Sequence, residues 1–188
     1  MKKINYLTSN TFKFTIAKNF FSSVDDYELI QHTFDTPEIQ DEACNAIAEY
    51  AAVYAAQKLG EPCIKLDAGF YINALNGFPG PFVKYVNDWL SEEDLLVMLE
   101  NKDDRSAYFM DATAIGFPDG SSKVFSKRHN GRIAHSGEYK ASKWPANSLF
   151  IPEGYDIPLG SMSDTEQEKY WGDGAWNEVI EYLDGRQF

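Results

Sequence analysis

The run Lys65-Leu-Asp-Ala-Gly-Phe-Tyr-Ile-Asn-Ala-Leu-Asn-Gly-Phe-Pro-Gly-Pro81 limits what this chain can fold into more than any other stretch. It predicts a short buried strand over residues 62–66 that ends on Asp67, then a second apolar run, then a turn built from Asn76-Gly77 and Pro79-Gly80. An acid at a strand end, close to a glycine, leaves room for a ligand to approach the backbone. Proteins of the α/β class build many sites this way, with loops gathered around strand ends. Taken alone, an Asp in D-A-G reads equally as the cap of a tight turn.

Before this run, residues 4–7 predict a strand, and Thr8-Ser9-Asn10 leads into a helix whose apolar side carries Phe12, Phe14, Ile16 and Phe20. Thr8, Ser9 and Asn10 fit an N-cap. They fit equally an anion cradle, with Lys13 one turn inside the helix. A second strand is expected over residues 27–34, followed by Asp35-Thr-Pro-Glu38. Residues 41–59 predict an alanine-rich helix with Ala43, Ile47, Ala51, Tyr54 and Ala55 inward, stopped by Gly60. Two short helices (82–90 and 92–99) precede a hairpin of 106–117 and 123–126 across Pro118-Asp-Gly120. Lys127-Arg128-His129 reads as a solvated loop, and residues 164–183 as an amphipathic helix broken at Gly172-Asp-Gly174. Lys65, two residues before Asp67, shares its strand face. It reads as an ordinary edge-strand lysine, or else as positive charge supplied to a site at Asp67.

The chain has 188 residues, enough for one domain over 1–188, or one domain with two lobes, around a sizeable core. With 44% hydrophobic and 15% aromatic residues it reads as globular. No apolar run is long enough to span a bilayer and no signal-peptide core stands at the start, so the cytoplasm is the expected location and no membrane partner is expected. Cys44 and Cys63 read as buried free thiols. A net charge of −12 argues against a nucleic-acid polymer as partner, but leaves room for a single small-molecule nucleotide held by a cation and a few basic groups.

Three stretches in order carry a resemblance: Tyr6-Leu-Thr-Ser-Asn-Thr-Phe-Lys13, Asp35-Thr-Pro-Glu38, and L-D-A-G-F…N-A-L-N-G-F-P-G-P-F-V-K-Y. Together with F-I-P-E-G-Y-D at 150–156, they resemble the RdgB/inosine triphosphate pyrophosphatase family. That resemblance implies an α/β fold, with a long twisted mixed sheet, flanking helices and two lobes around a central cleft. It implies hydrolysis of noncanonical purine nucleoside triphosphates to monophosphate and pyrophosphate with Mg²⁺, and a homodimer with the N-G-F-P-G-P loop near its interface. The roles it implies are metal ligation by Glu38 and Asp67, with Asp41 and Glu42 as alternatives to Glu38. Asp67 and Lys13 are implied in catalysis, and Thr8, Ser9, Asn10 and Lys13 in phosphate binding. Trp144 would stack on the base and Asn147 would read its edge.

The chain also departs from the family pattern. Ser9 replaces a glycine, Leu66 an acid and Asn147 an Asp. A phosphate-binding lysine is missing at or beside Ala51. The basic positions near the C-terminus fall on Gln167-Glu168 and Trp171-Gly-Asp173. Asn147 both donates and accepts, which predicts an altered base preference. Fewer cations predict weaker polyphosphate binding. The alternative is a nucleotide-binding protein that no longer turns substrate over.

Overall fold

The computed structural model describes residues 2–24, 26–172 and 174–185. The strands are β1 (Lys2–Leu7), β2 (Tyr27–His32), β3 (Cys63–Ile72), β4 (Pro79–Gly80), β5 (Ser106–Gly116), β6 (Ser122–Ile133) and β7 (Phe150–Pro152). The helices are α1 (Thr11–Phe21), α2 (Cys44–Leu59), α3 (Val83–Trp89), α4 (Glu92–Val97), α5 (Pro145–Leu149), α6 (Asp164–Gly172) and α7 (Trp176–Asp184). The sheet order is β2-β1-β3-β5-β6-β7, with β4 paired to β3. β1 pairs in parallel with both β2 and β3, while β3–β4 and β6–β7 are antiparallel, so the sheet is mixed as expected.

The chain divides into two compact units. The first contains residues 1–67, 111–127 and 168–188, and the second residues 68–110 and 128–167. In the first unit, period-two alternation sends neighbouring strand residues to opposite faces. Ile4, Tyr6 and Ile64 join Ala17 and Phe21 of α1 and Trp176, Val179 and Leu183 of α7 in one core. Leu7 and Cys63 join Ala55 and Ala56 of α2 in another. Thus α1 and α2 cover opposite faces of the sheet. Fully buried Ala48, Ala52, Ala55 and Ala56 let α2 lie close to the strands, and Gly116 takes this furthest. A Cβ at Gly116 would fall 2.3 Å from the Ala52 carbonyl carbon.

Gly60 ends α2 in the left-handed region (φ 71°), as its position predicts. Other expectations change. The inward side of α1 is Ile16, Ala17 and Phe21, with Phe14 and Phe20 half-buried against the same core. The inward side of α2 is turned towards Ala48 and Ala52 and away from Ile47 and Tyr54, because only methyl-sized side chains permit that close approach.

β3 does not stop at Asp67. It runs unbroken through Asp67, Ala68 and Gly69, held between β1 and β5, so the acid is mid-strand. β3 is also central, which removes the edge-strand reading of Lys65. Lys127-Arg128-His129 is not a loop either, since β6 continues through it and buries His129.

In the second unit, Tyr71 and Tyr108 stack at 4.9 Å and 5°, and Phe70, Phe109 and Phe150 pack around one another. Gly131 allows β7 its close approach, since a Cβ there would meet the Ile151 carbonyl oxygen at 2.3 Å.

Candidate active site at the carboxyl ends of β1 and β2, beside β3

The order β2-β1-β3 is what creates a site. The chain leaves β1 through α1 towards β2 on one side, and returns through α2 to β3 on the other. β1 and β3 are parallel neighbours whose following or preceding helices lie on opposite faces. Where β1 ends beside the middle of β3 lies a switch point, the kind of place where open α/β sheets bind ligands. The register runs Leu7↔His32 between β1 and β2, and Tyr6↔Ile64 between β1 and β3. Thr8-Ser9-Asn10 therefore leaves the sheet at about the level of Leu66 and Asp67.

Local hydrogen bonds fix that exit. The Thr8 amide donates to the His32 carbonyl at 2.9 Å, and Gln31 Nε2 donates to the Thr8 carbonyl at 3.0 Å. Thr8 Oγ1 accepts from the Asn10 amide at 3.2 Å, and Asn10 Oδ1 accepts from the Lys13 amide at 3.1 Å. Asn10 is thus the N-cap of α1. Beneath it, Asn5 is 3% exposed and ties three segments together. Its amide donates to Glu61 Oε2 and the Pro62 carbonyl, leaving Oδ1 2.9 Å from His32 Nε2. Asn5, Gln31 and His32 were missed in the sequence. A polar residue inside the apolar run I-N-Y-L was the available signal.

Lys65 is where the predicted groups meet. It is half-buried on the same face of β3 as Cys63 and Asp67. Burial first, and then Lys13, pull its pKa below the ordinary lysine value, while Asp67, Cys63 and Glu38 act in the opposite direction. Lys13 from α1, Glu38 from the segment after β2, and Asp67 from β3 therefore all lie within electrostatic reach of one ammonium group. The Cys63 thiol is pushed up to about 12 by burial, with a backbone hydrogen bond at Leu7 and then the Lys65 charge acting the other way. Leu66 points the other way and packs on the α1/α7 core. Asp41 is engaged in its own turn, its Oδ1 accepting from the Ala43 amide at 2.8 Å.

The sequence of residues 4–171 matches the model of the Ham1 family. The chain belongs to the Ham1 family. A dITP/XTP pyrophosphatase of Methanosarcina mazei is 37% identical over 175 residues, covering 90% of each chain. One from Methanopyrus kandleri is 34% identical over 167 residues, covering 89% of this chain and 88% of its own. Among solved structures, the Staphylococcus aureus Ham1 protein superposes with a TM-score of 0.78 at 27% identity, covering 99% of this chain and 100% of that one. A HAM1 protein from Coxiella burnetii has a TM-score of 0.82 at 21% identity, over 99% of this chain and 100% of that one, which speaks for the fold. The resemblance drawn from the three motifs is correct, and so is the α/β fold with a mixed sheet and flanking helices that it implied.

Against that family background, Ala51 is only 4% exposed and faces the protein interior, where a lysine is missing. Among the described residues, no three or more His, Cys, Asp or Glu side chains gather into a group able to hold a metal. Magnesium needs less: it takes one or two carboxylates and completes its shell with waters and substrate phosphates. Glu38 and Asp67, two hard-oxygen donors acting on one ammonium, suit it.

The residues expected to read the base belong to the second unit. Trp144 is 38% exposed, with Lys143 Nζ 4.9 Å from its ring, and its carbonyl accepts from the Ser148 amide at 3.0 Å. Asn87 Oδ1 accepts from the Ala146 amide at 2.9 Å, which fixes the start of α5. Asn147 is half-buried. Of the C-terminal positions, Gln167 Nε2 donates to the Met162 carbonyl at 3.0 Å, and Asp173 lies outside the described residues.

Proposed function

We propose that this chain is a Mg²⁺-dependent nucleoside triphosphate pyrophosphatase that cleaves between the α- and β-phosphates of a noncanonical purine nucleotide. The observation that carries this reading is the convergence of Lys13, Glu38 and Asp67 on one ammonium at the β1/β3 switch point. The relatives named dITP/XTP pyrophosphatase support it independently.

In this reading the α1 N-terminus and the Lys13 ammonium bind the phosphates through free backbone amides and charge-assisted hydrogen bonds. Asp67 orients a water and takes its proton as the water oxygen bonds to phosphorus. The P–O bond to the leaving pyrophosphate breaks, and the proton passes on to solvent. Lys13 stabilises the charge that builds on the phosphate oxygens. A magnesium ion bound by Glu38 and Asp67 would add further neutralisation of that charge. Ser9, in place of a glycine, narrows the backbone's freedom at the cradle.

Trp144 stacking on the base and Asn147 reading its edge rest on the family resemblance. With Asn147 in place of an Asp, the base preference is altered. A cytoplasmic homodimer completes the proposal. No described helix is long and apolar enough to cross a membrane. Phe78, Phe82, Tyr85 and Trp89 (36%, 41%, 39% and 73% exposed) surround the loop near which the family dimerises, and they support a covered face there. Light scattering reads the assembly state.

The deciding experiment is pyrophosphate release from a panel of canonical and deaminated purine triphosphates, with magnesium and with EDTA. Hydrolysis of deaminated purines, dependent on magnesium, is the expected result. A nucleotide that raises the melting temperature without being hydrolysed would instead show a scaffold that has lost turnover.

A further inference from the structure

β1 and β2 separate just where the chain enters the phosphate cradle. The Thr8 amide still makes a ladder bond, donating to the His32 carbonyl at 2.9 Å, but β2 ends at that residue. In a parallel ladder the Thr8 carbonyl would next accept from an amide beyond His32, past the end of β2. A side chain stands in for it: Gln31 Nε2 donates to the Thr8 carbonyl at 3.0 Å. Gln31 is itself well anchored, because its neighbour His32 is held by Asn5, which is 3% exposed. Both hydrogens of the Asn5 amide are engaged, on Glu61 Oε2 at 3.1 Å and the Pro62 carbonyl at 3.0 Å. Its Oδ1 therefore accepts from His32 Nε2 at 2.9 Å, which fixes the end of β2.

The bond from Gln31 fixes more than a carbonyl. The Thr8 C=O and the Ser9 N–H belong to one planar trans peptide, in which they point in opposite directions. β2 and β3 flank β1 on opposite sides, so a Thr8 carbonyl turned to Gln31 of β2 turns the Ser9 amide towards the β3 side. The register sets Ser9 near the level of Asp67. The amides on either side are taken, that of Thr8 by His32 and that of Asn10 by Thr8 Oγ1 at 3.2 Å. Among the described residues the Ser9 amide donates to no acceptor, and Ser9 is exposed. A donor already held in one direction loses little freedom when a ligand binds it.

We infer that Gln31 is a positioning residue for phosphate binding: it pins the Thr8 carbonyl so that the Ser9 amide is aimed at a phosphate oxygen of the nucleotide. This inference rests on the proposed hydrolytic site. It assigns the part of Ser9 in the cradle to its main chain, a donor that a serine keeps as well as a glycine.

Wild type, Gln31→Met, Ser9→Pro, which removes the amide hydrogen, and the double variant are compared in three measurements. These are initial rates with deoxyinosine triphosphate, calorimetric binding of inorganic pyrophosphate in EDTA, and thermal melting. Gln31→Met, close in shape but without the donor, raises KM and weakens pyrophosphate binding roughly tenfold, with kcat within about threefold of wild type. Its melting temperature falls by about 4 °C or less, for one lost hydrogen bond. Ser9→Pro weakens binding at least as much, and adding Gln31→Met weakens it no further, because both act through one hydrogen bond. KM and pyrophosphate affinity within about twofold of wild type in Gln31→Met would leave Gln31 a structural tie and overturn the inference, as would losses that add in the double variant. Should Ser9→Pro not fold, amide spectra decide. Pyrophosphate shifts the Ser9 resonance in wild type and much less in Gln31→Met, and a Ser9 resonance unmoved in wild type overturns the inference. If wild type hydrolyses nothing but Gln31→Met still weakens pyrophosphate binding, the hydrolytic reading fails and the role of Gln31 stands.

Discussion

Two groups of cations in this acidic chain are held in opposite ways. In the second unit, Arg128 and Arg132 line an open groove of about 460 Å³ with Asn73, Asn130, Glu153 and Tyr155, where two cations stand against one acid. Their charges are already committed. The Arg128 guanidinium lies 3.6 Å from the centroid of Tyr108, itself stacked on Tyr71, and its Nε donates to Asn130 Oδ1 at 2.7 Å. Arg132 forks onto Glu138 at 3.0 and 3.3 Å. In the first unit, Lys65 is half-buried, and Lys13, Asp67 and Glu38 all act on its charge. A count of positive residues favours the arginines. The fields around them favour the lysines, because a cation that already has its partners gains little from a ligand.

Breaking the comparison starts with its largest expected effect. Asp67→Asn, which keeps the shape and removes the proton acceptor, lowers kcat about a thousandfold or more with the melting temperature nearly unchanged. Arg128→Met, on the other side of the comparison, leaves turnover within about twofold and costs only the stack on Tyr108 and the hydrogen bond to Asn130. Turnover that survives Asp67→Asn would remove the chemistry from β3 altogether.

A middle-sized effect belongs to Lys13. Lys13→Met raises KM for the triphosphate roughly tenfold or more, and added salt raises the wild-type KM in the same direction. Arg132→Met leaves KM unchanged and lowers the melting temperature by about 3 °C or less. Steady-state kinetics at two ionic strengths, beside melting curves, separate the two cations. If Arg132→Met were the variant that raised KM, phosphate binding would belong to the arginine groove.

Much of this was legible in the sequence, and for identifiable reasons. The N-cap at Asn10, the stop at Gly60 and the end of α6 at Gly172 each depend on local chemistry, and each is where it was expected. Lys13, Glu38 and Asp67 were named from motifs, and all three act on one group. What failed needed information from strands distant in sequence. Asp67 looked terminal because Gly69 reads as a break, yet a strand flanked by β1 and β5 continues through a glycine. Lys65 could not be told from an edge lysine without the strand order. Lys127-Arg128-His129 looked solvated because three basic residues hid an alternation that exposes Arg128 and buries His129.

The smallest expected effect asks whether Arg132 is committed as described. The Glu138 carboxyl is held down at about 2, against an ordinary 4.5, first by the hydrogen bond from Arg132 and then by one from the His135 amide. A carboxylate depressed in the folded state stabilises the fold above its ordinary value. That contribution is lost as the pH falls from 4.5 through about 2. Glu138→Gln should therefore melt below wild type at neutral pH, with a gap that narrows as the pH drops below 4.5 and closes near 2. The gap is small, since Arg132 and Glu138 are 43% and 39% exposed and water screens the pair. Added salt narrows it further. Melting curves of both proteins across that range give the result directly. A gap independent of pH and salt would mean that Glu138 does not engage the Arg132 charge. Arg132 would then be available to an anion, and the contrast between the two groups of cations would fail on the arginine side.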